Sequence, residues 1–317
     1  MKCLCCGKTL QKENKYGWHK SCIRKFFGTT QIPKIDVDDG ILKMLATKSA
    51  SQGYTVPGVQ KKLSLHLLSE GNTPKLTLVN YHPTGYILKL QVEKFEALPE
   101  SEHLVMCMAA SVGITTVPHA LIKIGSTYAY ITKKIDRIIS KESAEKLAME
   151  DFCQLGYKLT RDKYHGSYEQ CGKIITNFSE RSRLDLSELF IRLVFSYITG
   201  NSDMHLKNFS LIETEVGSMK YVLSAAYDLL PVKIIMLEDK EDFALAMNGK
   251  KENIRRRDFL SFANHIGITE KAAQKMINQL VRKKDILKSM CMESYLPDQM
   301  KKSFSEFIEN RCSVLLN

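Results

Sequence analysis

The chain has 317 residues, 44% of them hydrophobic, enough for two packed lobes and a small appendage, since a single core stops growing at roughly 250–300 residues. No apolar run approaches the roughly 20 residues of a membrane span, and the opening MKCLCCGKTL lacks the apolar core of a secretory leader, so a cytoplasmic protein is expected. The net charge of +11 favours an anionic partner such as a nucleotide or nucleic acid, and nine cysteines, an odd number in a long chain, speak against a disulfide framework.

The chain opens with Cys3-x-x-Cys6, followed by His19-x-x-Cys22. Two ligand pairs, each able to grip one ion and joined by a short loop, suit tetrahedral Zn²⁺ in a structural site with no open position. Cys5 can stand in for a neighbour. Residues 1–27 therefore read as a small zinc-ribbon-like unit that needs its metal to fold, with Lys8, Lys15 and Lys20 as possible grips on a partner. Cys107, Cys153, Cys171, Cys291 and Cys312 are scattered and read as small buried hydrophobes. Residues 28–50 read as a connector with one short helix.

Strand patterns then appear at KLSLHLL (62–68), KLTLVN (75–80) and GYILKLQV (85–92). Just ahead of them stands Pro57, Gly58, Val59, Gln60, Lys61 and Lys62, where backbone N–H groups can cradle phosphate oxygens. A surface turn leading into a strand reads the same way, so both readings stay open there. Lys89 sits in a mostly apolar strand, where a lone ammonium is costly unless paired. A helix follows, opened by Pro99 and Ser101 and closed by Gly113, with Glu102 in its first turn as the partner for Lys89 and Glu100 as the competitor. The alternative for Lys89 is an edge-strand side chain facing water. Two more strand patterns end near Lys133, Lys134 and Ile135. From about 145 onward the pattern is helical except for 209–230.

The most informative stretch is GNSDMHLKN, between a helix with an apolar stripe and the strand FSLI. Asp203 and Asn208 stand five residues apart in that loop, the D-x-x-x-x-N spacing of kinase catalytic loops. A carboxylate at the first position can accept the proton of an attacking hydroxyl. An amide oxygen at the second can reach a Mg²⁺ ion on the phosphates. Asp228 ends the next strand pair, twenty residues after Asn208, and supplies a carboxylate for the same ion. Strands first and helices later describe an α+β protein.

Taken together, PGVQKKLSL, YILKL, LPESEHLVM, KKIDR, GNSDMHLKNFSL and AAYDLLPV, in that order, resemble the HipA-like toxin kinases of bacterial toxin–antitoxin modules, nearest the shorter HipT-type members. The resemblance covers roughly residues 51–317. It implies a two-lobed protein-kinase-like fold, with 51–135 as a β-rich N-lobe and 136–317 as a helical C-lobe. It implies Asp203 as catalytic base and nucleotide or metal contacts at His205, Lys207, Asn208, Tyr227 and Asp228. Lys89 matches the phosphate lysine, Lys133 to Ile135 the adenine-facing hinge, and Pro57 to Lys62 the phosphate loop. Thr55 falls where the family places an autophosphorylated serine. Pro57 replaces a second serine found in HipT-type members, which excludes double phosphorylation of that loop.

The implied activity is transfer of the ATP γ-phosphate to a protein serine or threonine, an aminoacyl-tRNA synthetase being the usual family target. The implied partners are a DNA-binding antitoxin and a small protein resembling the missing N-terminal subdomain. Two alternatives are compatible with the same residues: a kinase-like scaffold that binds nucleotides and nucleic acid as a regulator, and a small-molecule kinase.

Overall fold

A computed structural model describes residues 1–10, 17–37, 40, 62–69, 73–78, 84–139 and 144–316. Thr55, Pro57, Gly58, Val59, Gln60, Lys61 and Lys15 lie outside the described residues, as does most of the connector in which a short helix is expected. The chain divides into two compact units, the first comprising Met1–Cys107, Val117–Ala144 and Glu293–Leu296, the second Met108–Thr116, Glu145–Met292 and Pro297–Asn317.

Unit one is built on six strands: β1 (Lys34–Asp36), β2 (Lys62–Leu68), β3 (Lys75–Thr77), β4 (Tyr86–Leu90), β5 (His119–Ile124) and β6 (Thr127–Lys133), in the order β1-β3-β2-β4-β6-β5. Only β1 and β3 run parallel; the remaining pairs are antiparallel. Side chains alternate between the faces, so Leu63, Leu65, Leu88 and Leu90 fall on the buried side along with Ile131. Three-residue β1 has no sequence signature because periodicity needs a longer run.

The first helix, α1 (Lys20–Phe27), packs onto this sheet. Trp18, the only tryptophan, is 1% exposed and donates its indole N–H to the Leu121 carbonyl at 3.2 Å. Phe26 and Phe27 pack edge-on with centroids 4.8 Å apart, and the Tyr86 hydroxyl donates to the Phe26 carbonyl at 3.2 Å. The N-terminal segment thus shares one hydrophobic core with the sheet. Helix α2 (Leu98–Ser111) is buried over most of its length, with the polar Ser101, Glu102 and His103 enclosed along with Leu104, Val105, Met106 and Met108; the helix enters unit two at Met108. Strands β7 (Arg137–Ile139) and β8 (Ala144–Lys146) follow.

Unit two contains β9 (Met149–Asp151), β10 (Ser210–Glu213) and β11 (Tyr221–Leu223), an antiparallel sheet with β10 in the middle. Strand β9 lies in a region that reads as helical; its three residues gain strand form from pairing with a segment some sixty residues later, which no local pattern records. Around the sheet stand α3 (Phe152–Leu155), α4 (Tyr168–Phe178), α5 (Ser182–Thr199), α6 (Val232–Ile235), α7 (Arg256–His265), α8 (Glu270–Val281), α9 (Lys284–Met292) and α10 (Asp298–Leu316). Helix α5 is the central one, with Leu189, Phe190, Leu193, Val194 and Ile198 wholly buried. A sheet-rich unit followed by a helical one is the mixed α/β, kinase-like arrangement that the order of elements predicts. No helix among the described residues is long and apolar enough to cross a membrane.

Candidate active site

The end of α5 sets the position of Asp203. Gly200 leaves the helix with φ +70°, and its N–H closes the last turn. A Cβ there would lie 2.9 Å from the Phe307 ring and 3.0 Å from the Lys233 side chain, so glycine is required by conformation and by space. The loop that follows is fastened by buried groups from outside it. The Tyr168 hydroxyl donates to the Met204 carbonyl at 3.0 Å, and the Leu206 N–H donates to the Lys163 carbonyl at 3.1 Å.

Asp203 receives a hydrogen bond from the Tyr164 hydroxyl at 3.0 Å and has His205 Nε2 at 3.7 Å. Burial pushes its carboxyl up to about 7; the Tyr164 bond and the Lys163 ammonium oppose that shift, and the carboxylates of Asp228 and Asp239 add to it. A bound cation would pull it back down. Asn208 Nδ2 donates to the Asp203 carbonyl at 2.9 Å. A carbonyl only accepts, so the amide NH₂ must face it, and Asn208 Oδ1 is turned away, free to coordinate a cation.

Asp228 follows β11 with φ +59°, a left-handed backbone that aspartate tolerates better than most residues, at a cost of about 1–2 kcal/mol. Such strain persists only where the surroundings hold it. Here they do. Buried Asp185 accepts from the Leu223 N–H at 2.7 Å, and the buried guanidinium of Arg192 donates to the Ser224 carbonyl at 2.7 Å. The Tyr227 hydroxyl donates to the Lys207 carbonyl at 3.0 Å and lies 2.6 Å from Ser210 Oγ. The residue before Asp228 therefore ties its strand exit to the loop that carries Asn208. The amide oxygen of Asn208 and the carboxylate of Asp228 are hard oxygen donors of the kind that suits Mg²⁺.

Lys207 is engaged by Asp151 at 2.5 Å. In unit one, Lys89 and Glu102 form an ion pair at 2.6 Å with side chains 5% and 2% exposed. Lys89 also lies 5.3 Å above the Tyr130 ring. The competitor Glu100 makes no such pair: burial raises its pKa, and its Oε2 has no hydrogen-bond partner among the described residues. Lys62 opens β2, opposite Lys89 on β4. At the end of β6, Lys133 N–H donates to the Pro118 carbonyl at 3.0 Å and Lys134 N–H to the Gly85 carbonyl at 2.9 Å, which seats the 133–135 segment on the sheet.

Two neighbours of Asp203 carry no sequence signal. Tyr164 lies in a loop without a motif, and Asp239 reaches the site because the Ser202 hydroxyl donates to its carboxylate. Both are contacts made across tens of residues.

The N-terminal cysteines converge as well. Donor atoms of Cys3, Cys6, His19 and Cys22 all lie within 4.8 Å of one another. His19 Nδ1 is 3.4 Å from Cys6 Sγ and 3.8 Å from Cys22 Sγ. Gly7, at φ +67°, turns the chain so that its own N–H bonds the Cys3 carbonyl, and the His19 N–H points at Cys3 Sγ. Cys5 lies beside the group, its thiol pushed up to about 12 by burial and by neighbouring sulfurs.

The likenesses to known proteins fit this geometry. A candidate kinase of Haemophilus influenzae is 25% identical over 276 residues, covering 78% of this chain and 77% of its own. Two candidate kinases of Sinorhizobium fredii, Y4mE and Y4dM, are 25% and 30% identical, and the match spans 59% and 50% of their lengths. Among solved structures, HipA of Shewanella oneidensis, determined as a toxin–antitoxin complex with HipB and operator DNA, superposes with a TM-score of 0.70 at 17% identity over 98% of this chain and 74% of that one. The Helicobacter pylori proinflammatory kinase CtkA gives 0.53 at 15% identity over 78% and 93%. At such identities these two likenesses speak for the fold. Residues 54–286 match the family described as HipA-like C-terminal domain, which is well over half of the chain, and the protein belongs to that family.

Proposed function

We propose that the chain is an ATP- and Mg²⁺-dependent kinase that phosphorylates serine or threonine hydroxyls of a protein. The observation that carries this reading is the Asn208 amide donating to the Asp203 carbonyl, which turns the amide oxygen outward, with the charge of Asp228 acting on the Asp203 carboxyl. Asp203 accepts the proton of the attacking hydroxyl as that oxygen bonds the γ-phosphorus and the bridging oxygen departs with ADP. Asn208 and Asp228 hold the cation, which when bound neutralises charge on the phosphates. Lys89, kept straight by Glu102, supplies its ammonium to the α- and β-phosphates. By the same family likeness the 133–135 segment serves the adenine, and Pro57 to Lys62 serve the phosphates. Tyr164 holds the Asp203 carboxylate in one orientation.

Purified protein incubated with labelled ATP, Mg²⁺ and cell lysate is expected to label one or a few proteins. Asp203→Asn should abolish the label while nucleotide binding persists. Equal labelling by both proteins would refute the assignment.

The toxin role rests on family membership and on the solved complex of the Shewanella structural neighbour with HipB and DNA. On that basis the partners are a DNA-binding antitoxin and a small N-subdomain-like protein, and the substrate is an aminoacyl-tRNA synthetase. Thr55 is the autophosphorylation site of this reading. Mass spectrometry after prolonged incubation with ATP should find a phosphate there; an unmodified Thr55 would remove that part.

Cys3, Cys6, His19 and Cys22 are proposed to hold one structural Zn²⁺. The support is the donor set itself: three sulfurs and one imidazole nitrogen at the mutual spacing of a tetrahedral ion. Metal analysis of freshly purified protein should find zinc.

A further inference from the structure

Unit one contains a second group of metal-type donors. His103 and Cys107 stand four residues apart on α2, so both leave the same face of the helix. His119 opens β5 across from them. His103 Nδ1 lies 3.1 Å from His119 Nδ1, and Cys107 Sγ lies 3.6 Å from His103 Nε2. An ion would take one of the two His103 nitrogens. One donor atom from each of the three side chains lies within 4.8 Å of the other two. Zinc with Zn–N of about 2.0–2.1 Å and Zn–S of about 2.3 Å separates its tetrahedral ligand atoms by roughly 3.3–3.8 Å, a spacing that donors within 4.8 Å of one another reach by side-chain rotation.

The surroundings favour a bound ion over ordinary packing. His103 and His119 are 5% and 8% exposed. Buried histidines usually face a carbonyl or carboxylate; these face each other and a thiol. The Gly7 turn of the cysteine cluster packs here too, since a Cβ on Gly7 would lie 3.9 Å from Cys107 Sγ.

We propose that His103, Cys107 and His119 form a second Zn²⁺ site, separate from the one at Cys3, Cys6, His19 and Cys22, with water completing its coordination. The Cys107 thiol gives its proton to solvent as its sulfur takes the metal. The site is positioned to brace the phosphate lysine. The His119 ring stacks on Tyr130 at 5.8 Å, Lys89 lies over that same ring, and Glu102 precedes His103 on the helix. Fixing α2 to the sheet at β5 also holds Glu102 on α2 against Lys89 on β4.

The test is metal stoichiometry of the full chain after dialysis against Zn²⁺. Two ions per chain are expected, falling to one in Cys107→Ser and in His119→Gln. One ion or none in the wild-type chain, or two in a folded variant, would overturn the proposal. Cobalt titration of the wild-type chain gives a result that does not depend on variants folding. Two equivalents should develop tetrahedral absorption, one with strong thiolate charge transfer from three sulfurs and one with weak transfer from a single sulfur. Saturation at one equivalent would sink the second site whatever the kinase assay shows.

Discussion

The loop at 200–208 and the cysteine turn at 3–22 are both short irregular segments, yet they keep their shapes by different means. The first is fastened by ordinary hydrogen bonds from buried side chains and backbone: Tyr168 to Met204, Tyr227 to Lys207, Asn208 to Asp203. On the proposed reading its cation serves the chemistry and not the shape. The second directs three sulfurs and an imidazole at one another, and thiols are weak hydrogen-bonding groups. Apart from those donors it is held by short backbone bonds, Gly7 N–H to the Cys3 carbonyl and Leu4 N–H to the Gly17 carbonyl, and by the apolar packing of Leu4 and Trp18. On the proposed reading the first site must stand ready without its nucleotide, whereas the second can depend on a permanent ion.

Removing zinc tests this contrast most severely. Structural zinc contributes about 10–16 kcal/mol in isolated zinc-finger peptides; the shared aromatic core should reduce the loss here. A zinc-selective chelator is expected to shift the fluorescence of Trp18, the only tryptophan, to the red. Hydrogen exchange should quicken across 3–10 and 17–22 and stay unchanged across 200–208. Equal changes in both segments would break the contrast.

The next effect concerns chemistry alone. Asp203→Asn should lower phosphoryl transfer by on the order of 10²–10⁴-fold. Thermal unfolding should occur at the same or a higher temperature, because a desolvated carboxylate is removed. A large fall in unfolding temperature would mean that Asp203 holds the loop together.

Glycine substitutions sharpen the comparison further. Gly7→Ala and Gly200→Ala each force a side chain into a left-handed backbone, about 1–2 kcal/mol. Gly200→Ala also drives a methyl group against Phe307 at 2.9 Å, whereas among the described residues the nearest atom to a Gly7 methyl is Cys107 Sγ at 3.9 Å. Denaturant melts should therefore rank Gly200→Ala as the more damaging. The smallest effect belongs to Tyr227→Phe, which removes one phenol from the Lys207 carbonyl and Ser210. A loss of about 0.5–1.5 kcal/mol is expected, with faster exchange at 207–208. No change in either measure would show that Tyr227 does not tie the loop to the Asp228 strand.

Much of this protein was legible along the chain, and the limits follow from the physics. The D-x-x-x-x-N loop and the Cys-x-x-Cys turn are legible because their donors are neighbours, so spacing alone constrains geometry. The two-unit order of strands and helices is legible for the same reason, since periodicity is a local property. The choice of Glu102 over Glu100 was open in the sequence and is decided by which side of α2 faces β4. Strand β9, Tyr164 and Asp239 left no mark, and Cys107 read as a small hydrophobe.

The sequence by itself determined residue chemistry, element order and which short loops carry donors, because each depends on residues a few positions apart. Only the tertiary structure decided the partners of those donors: Tyr164 on Asp203, Tyr227 on Lys207, and His103 between Cys107 and His119. Such contacts join positions whose separation along the chain is not fixed by any backbone period. They arise when buried polar groups, unable to reach water, must find one another.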